Sequence, residues 1–315
     1  MSFDTLLGND RLKENLITAI ARRRISHFYL ISGPEGSGKH TLAMLLSAAI
    51  LCQEKNAPCG VCHVCRKVME GNHPDVITVD DPEHKNVAVK IVRQTREDVY
   101  IRPNESDHKI YIFPQELGLE GQNALLKILE EPPAYGVFLL LTDNPERLLP
   151  TIRSRCTELA LKALPTDLLK KTLSREFPDA AKDALMAAIA RSGGYLGQAR
   201  ALLEQGDALP VQTQNFLQSF ASRNALLLAQ TLAPMEKWKR DQLIPLLESW
   251  TVLLEEALAC RTGMKALHPM SSQLAAQRSG QDLMQAIIHL QKAITYAQSN
   301  VSPAAICGYL IWHLR

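Results

Sequence analysis

Two short stretches carry residue types whose spacing can do chemistry. The first is Gly33-Pro-Glu-Gly-Ser-Gly-Lys39, set between a short apolar run and an apolar helical segment. Gly33, Gly36 and Gly38, with Ser37 among them, let the backbone turn its N–H groups inward around phosphates, and Lys39 brings a positive charge to the outer ones. A strand before and a helix after are the context such a loop requires, since the helix N-terminus adds its own partial positive charge. Bound ATP is the expectation, but its hydrolysis is not. The position after the lysine normally supplies a hydroxyl to Mg²⁺; here it is His40, with Thr41 one place late. A neutral imidazole is a poor partner for so hard an ion. A second loss points the same way. A hydrolysing site needs an acid at the end of a nearby strand to hold Mg²⁺. The best candidate strand, Lys109 to Phe113, runs into Pro114-Gln115, with Glu116 the only acid close by.

The second stretch holds Cys52, Cys59, Cys62 and Cys65 in C-x6-C-x2-C-x2-C spacing. Two-residue gaps bring neighbouring thiolates onto one tetrahedral ion, and four of them suit structural Zn²⁺. His63 is an alternative ligand, though Cys52 completes a simpler set. The bland alternative is four buried or free thiols. A closed four-thiolate site leaves no position for water, so catalytic zinc is not expected. A DNA-reading zinc module is disfavoured, because Arg66 and Lys67 are few for a phosphate footprint. Cys156, Cys260 and Cys307 stand apart and read as core residues.

The elements that must position these groups fall into segments. Of 315 residues, 46% are hydrophobic and 22% charged, a globular balance long enough for two or three domains. Residues 1 to 163 alternate helical segments with short apolar runs at Phe28–Ser32, Val76–Val79, Lys109–Phe113 and Tyr135–Thr142. Such runs suit a parallel sheet covered on both faces, hence an α/β layer fold. Residues 164 to 206 read as small helices, starting at Leu164-Pro-Thr-Asp167 with Thr166 or Asp167 as the cap and broken by a glycine turn at 192–197. Residues 207 to 315 read as all-helical. Leu243, Leu246, Leu247, Trp250, Leu253, Leu254, Ala257 and Leu258 form one apolar stripe, and Leu283, Ile287, Leu290, Ile294 and Ala297 a second.

The net charge of +2 shows no basic excess, so DNA contact must be local or shared. The N-terminus lacks the pattern of a secretory signal. The longest uncharged run, Thr41 to Gln53, is too short for a bilayer and reads as a buried helix. With its clustered cysteines, the chain is expected in a reducing cytoplasm.

Asn144-Pro-Glu-Arg-Leu-Leu-Pro-Thr-Ile-Arg-Ser-Arg-Cys156 resembles the end of the AAA+ module in bacterial clamp-loader subunits, including their Ser-Arg-Cys motif. Gln122 to Pro133, Leu7 to Asp10 and His27 to Leu30 look like the same family, and the resemblance covers about residues 1 to 205. The C-terminal helices are similar to that family's collar by length and class only. The missing acids after Lys109 liken the chain to the delta-prime kind rather than the ATP-hydrolysing gamma/tau kind. The resemblance implies an AAA+ P-loop domain with a four-cysteine zinc module, a helical lid and an all-α collar. It also implies partners: gamma/tau motor subunits and delta, and through the assembly the sliding clamp, primed DNA and DNA polymerase III. By the same resemblance Thr142 senses nucleotide, with Asn144 the alternative. Gly197 replaces a sensing arginine, with Arg200 as a displaced candidate. Arg155 becomes an arginine finger, lent to the γ-phosphate on a neighbouring subunit. Two other readings compete: a working clamp-loader ATPase, and a stand-alone zinc-dependent DNA-binding protein, which salt-sensitive duplex binding without partners would favour.

Overall fold

Five short runs rich in β-branched, aromatic and leucine side chains pair in parallel. They are β1 (Phe28–Ser32), β2 (Val76–Thr78), β3 (Lys109–Phe113), β4 (Gly136–Thr142) and β5 (Thr157–Ala160), in the order β2-β3-β4-β1-β5. The computed structural model describes residues 2–84, 86–205, 209–264, 268–299 and 301–314. Parallel neighbours need crossovers. Helices α1 (Asp10–Ala21), α2 (Lys39–Leu51), α3 (His63–Met69), α4 (Val89–Asp98), α5 (Leu119–Glu130) and α6 (Pro150–Arg153) lie between or before the strands in sequence.

Every residue of β1, β3 and β4 is buried, which is why these strands read as continuous apolar runs. Their side chains still alternate. Tyr29, Ile31, Ile110, Ile112, Leu139 and Leu141 pack with Leu42, Leu45 and Leu46 of α2 in one core. Phe28, Leu30, Tyr111, Phe113, Phe138 and Leu140 meet Val92, Leu125, Ile128 and Ile152 of α4, α5 and α6 in the other. On that second face Phe138 stacks between Phe28 and Tyr111, at centroid distances of 4.6 and 5.2 Å. The fifth strand was not foreseen. β5 is an edge strand with Leu159 its only buried residue, so it lacks the apolar run that betrays the others. Val79 and Tyr135 fall just outside β2 and β4.

Next come α7 (Thr166–Glu176), α8 (Lys182–Arg191) and α9 (Leu196–Gln205). The α7 cap is a correction: Pro165 holds that position and no side chain caps the helix, so neither Thr166 nor Asp167 does. Proline suits a helix entrance because it has no N–H to leave unpaired. Gly193 and Gly194, at φ 59° and 90°, make the turn before α9.

The chain divides into two compact units. One is Met1–Ala180 with Ala188–Leu202, the other Ala181–Ala187 with Leu203–Arg315. In the second, α10 (Val211–Ala221), α11 (Ala225–Leu232), α12 (Arg240–Arg261), α13 (Pro269–Gln277), α14 (Gly280–Gln298) and α15 (Pro303–Leu314) surround one core. Most of both apolar stripes is buried there, with Leu246, Leu258 and Ile294 at its margin. Trp250 is its centre: fully buried, stacked 3.9 Å from the Phe216 ring, and donating from Nε1 to Thr213 Oγ1 at 3.1 Å. The junction expected at 206–207 lies outside the described residues. Among the described residues no helix is long and apolar enough to cross a membrane.

Candidate functional site

The phosphate loop leaves β1 at Gly33 and enters α2 at Lys39, as its spacing requires. Gly36 and Gly38 adopt φ of 73° and 96°, backbone that side-chain-bearing residues avoid. The loop starts beside the end of β4, where Gly33 N–H donates to Thr142 O at 3.2 Å. Lys39 Nζ reaches Gly33 O at 2.7 Å, Pro34 O at 3.0 Å and Asp143 Oδ1 at 2.5 Å. The crest of the loop touches the start of α9, where Gly197 N–H donates to Gly36 O at 2.9 Å. A Cβ added to Gly36 would stand 2.5 Å from Gln198 N, and one on Gly197 would stand 2.6 Å from Gly36 Cα. Only glycine at both places lets the two backbones meet.

The structure brings Gly33, Gly36, Ser37, Gly38, Lys39 and Thr142 together around this loop. His40 and Thr41 are exposed on the first turn of α2. The hydroxyl of Thr142 donates to Asn144 O at 3.0 Å and accepts from Asn144 N–H at 3.1 Å, so it braces the turn after β4. Asn144 Oδ1 in turn accepts from Glu146 N–H. Arg200 forms a two-pronged pair with Glu176, both contacts at 2.7 Å.

At the end of β3, where a metal-holding acid would stand, Gln115 does structural work. Its Oε1 accepts from Asp81 N–H at 2.7 Å and its Nε2 donates to Asp81 O and His84 O at 3.0 and 3.1 Å. Glu116 pairs with Arg147 at 2.9 Å. Sequence reasoning missed Asp143, whose one signal was its place just past a strand end, where α/β sheets gather their ligands. It also missed Gln122, buried on α5. Gln122 Nε2 donates to Leu117 O at 2.9 Å and Arg147 O at 3.1 Å, and its Oε1 accepts from Leu149 N–H at 2.8 Å. One amide thereby ties the loop after β3 to the segment leading into α6.

Arg155 is exposed in the turn between α6 and β5, with Nη1 donating to Thr151 O at 2.9 Å. Among the described residues no carboxylate pairs with it. Its place in the sheet is fixed by register: Thr157 lies opposite Tyr29, and Ala160 opposite Ser32. Arg155 thus precedes the β5 end that meets the start of β1, whereas the phosphate loop leaves the finish of β1. Five positions separate Arg155 from Ala160. The strand alone, from Thr157 to Ala160, covers about 10 Å at about 3.3 Å per residue, so Arg155 starts out beyond the end of β5 that is remote from the loop.

The four cysteines converge. Cys52 follows α2, Cys62 caps α3, Cys65 lies in its first turn, and Gly60 at φ 73° turns the knuckle after Cys59. The sulfurs lie within 4.8 Å of one another, with Cys52–Cys62 and Cys59–Cys65 each at 3.9 Å. Among the described residues this is the one group of three or more such side chains close enough to hold a metal, and His63 is not part of it. Cys62 N–H and Cys65 N–H point at Cys59 Sγ and Cys62 Sγ, at 3.3 and 3.4 Å. N–H groups of Val61 and Cys62 lower the Cys59 thiol to about 6, while burial pushes Cys52 and Cys65 up. Burial also raises Cys156, to about 12, and Cys307, to about 11, as expected of core thiols.

A parallel sheet in this order, a phosphate loop between β1 and α2, and a helical segment whose first turn meets that loop define an AAA+ module carrying a cysteine knuckle. The family model described as DNA polymerase III, delta subunit matches residues 8–165, and the chain belongs to that family. The DNA polymerase III subunit delta' of Pseudomonas aeruginosa is 34% identical over 236 residues, covering 73% of this chain and 67% of that protein. The DNA polymerase III subunit tau of Bacillus subtilis is 30% identical over 223 residues, 67% of this chain. The chain spans only 39% of that tau protein's length. Among solved structures, a DNA polymerase III gamma subunit-related protein of Thermotoga maritima aligns over 96% of this chain and 99% of its own, at TM-score 0.46 and 19% identity.

Proposed function

We propose that this chain is a delta-prime-like subunit of the DNA polymerase III clamp loader. In this reading it assembles in the cytoplasm with gamma/tau motor subunits and delta and contributes to loading the sliding clamp onto primed DNA. It lends Arg155 to a neighbour's nucleotide and leaves hydrolysis to the motors. The observation that carries the reading is the separation of Arg155 from its own phosphate loop at opposite ends of β1 and β5. A guanidinium set at the other end of β5 from its own phosphate loop, with no carboxylate partner among the described residues, is available to another subunit. Delivered in trans, such a group stabilises charge on the transferred phosphoryl and is worth about 10³ to 10⁵ in rate. The chain's own site fits the passive half of the reading: an exposed imidazole stands at the hydroxyl position, and Gln115 is committed to Asp81 and His84.

The cysteine cluster in this reading holds structural zinc. A tetrahedron with sulfurs about 2.3 Å from its centre has edges of about 3.8 Å, and two of the Sγ separations here are 3.9 Å, with all four sulfurs within 4.8 Å of one another. Cys52, Cys59, Cys62 and Cys65 would hold the ion and pin α3 to the end of α2. The lid, taken as 164–206, would carry motion from the module to a collar at 207–315, where the subunits join.

The test is Arg155→Ala, assembled with the motor and delta subunits. Assembly should be unchanged, while single-turnover hydrolysis at the adjoining motor site falls by about 10³. Unchanged hydrolysis removes the finger. Robust ATP turnover by the isolated chain, abolished by Lys39→Ala, would make it a motor instead.

A further inference from the structure

An ammonium group has three N–H donors, and Lys39 has three acceptors of this chain around it. Two are loop carbonyls, Gly33 O and Pro34 O, and the third is the carboxylate of Asp143 at 2.5 Å. In a loop that cradles phosphates, the lysine's charge is the part aimed at the ligand. Here the anion beside it is supplied by the chain. Its position is not accidental. Thr142 is in register with Ser32, so Asp143 stands level with Gly33, where the loop begins. The Thr142 hydroxyl, bonded to both the N–H and the carbonyl of Asn144, braces the turn that carries Asp143. The lysine side chain is 14% exposed and the aspartate 59%, so the carboxylate lies on the solvent side of an enclosed cation.

We propose that Asp143 is a built-in anion that occupies the phosphate side of Lys39 and keeps nucleoside di- and triphosphates out of a loop whose glycine turns and lysine are in place. The inference rests on the reading of this subunit as one that does not run on its own ATP, and gives that reading a specific residue. A phosphate and a carboxylate compete for one cation. With the carboxylate in place, an incoming diphosphate meets a neutralised lysine and a like charge beside it. The device is reversible by design of the side chain: an amide of the same shape keeps the packing and removes the charge. None of the variants below alters Gly36 or Gly197, and Asp143→Asn differs from native protein chiefly in the charge next to Lys39.

The experiment is an equilibrium titration of the full-length chain with a fluorescent ADP analogue, without Mg²⁺ and at low ionic strength. Native protein is compared with Asp143→Asn, Asp143→Ser and the double variant Lys39→Ala with Asp143→Asn. Both single variants should bind about tenfold more tightly than native protein, or better. Inorganic pyrophosphate should compete, and the double variant should lose the gain. Affinity in Asp143→Asn and Asp143→Ser equal to or below that of native protein overturns the proposal, as does a gain that survives loss of Lys39. Melting curves identify a variant that has failed to fold, in which case the other single variant decides. Failure here leaves the role of Arg155 standing, because no neighbouring subunit is present in the titration.

Discussion

Cys62→Ser is a small perturbation with a large expected consequence. Cys62 Sγ accepts from Cys65 N–H at the start of α3, and a serine oxygen can keep that cap. What serine cannot keep is a thiolate ligand to zinc. The seven-residue α3 is too short to hold helical form alone. It is held by the cluster and by two side chains, Cys65 and Val68, that are 1% and 0% exposed. Full burial of such side chains is worth about 1.5 to 3 kcal/mol each, cysteine towards the low end. Freeing the segment returns some chain entropy, which leaves a net loss of about 2 kcal/mol. For a unit of this size that lowers the melting temperature by about 4 to 8 °C. Metal analysis of reduced protein should find about one zinc per native chain and almost none in the variant. Hydrogen exchange should show α3 amides losing protection while β1 and β4 keep theirs. The reasoning fails if native reduced protein carries no metal. It also fails if a metal-free variant melts unchanged with α3 still protected.

Two further predictions concern buried polar groups. Asp75 is fully buried and accepts four bonds, from the N–H groups of Asn104, Glu105 and Ser106 and from Asn104 Nδ2. Burial alone would raise its pKa, but these donors outweigh it and hold the carboxyl below the ordinary carboxylate range. A depressed folded value means the group stabilises the fold above about pH 3.9, its unfolded value, and that stability is lost as pH falls through the lower folded one. Asp75→Asn should therefore cost about 3 kcal/mol in urea unfolding at pH 7. It should also flatten the acid limb of the stability curve; equal stability at pH 7 would refute the account. In the helical unit, Trp250→Ala should cost about 3 to 5 kcal/mol by cavity formation. Trp250→Phe should cost less, since it can keep a ring against Phe216 but drops the bond to Thr213; calorimetry of both variants checks the order.

Much of the molecule was legible in the chain because its signals are local. Gly33 to Lys39 announces its loop through positive-φ glycines, and the cysteine spacing announces a knuckle. The buried strands announce themselves through unbroken apolar runs, because helices cover both faces of the sheet. The stripes of α12 and α14 did the same through period. Each of these depends on residues within a few positions of one another. What depended on distant segments was silent. β5 has one buried residue and exists because β1 offers it an edge. The commitment of Lys39 to Asp143 joins residues 104 positions apart, and Gln122 reaches 25 positions to Arg147. Sequence marked Arg155 through its motif, but only the parallel register of β5 on β1 decided that it stands at the opposite end of the sheet from its own phosphate loop. Local spacing determines which groups a chain possesses; the pairing of remote strands determines which of them can ever meet.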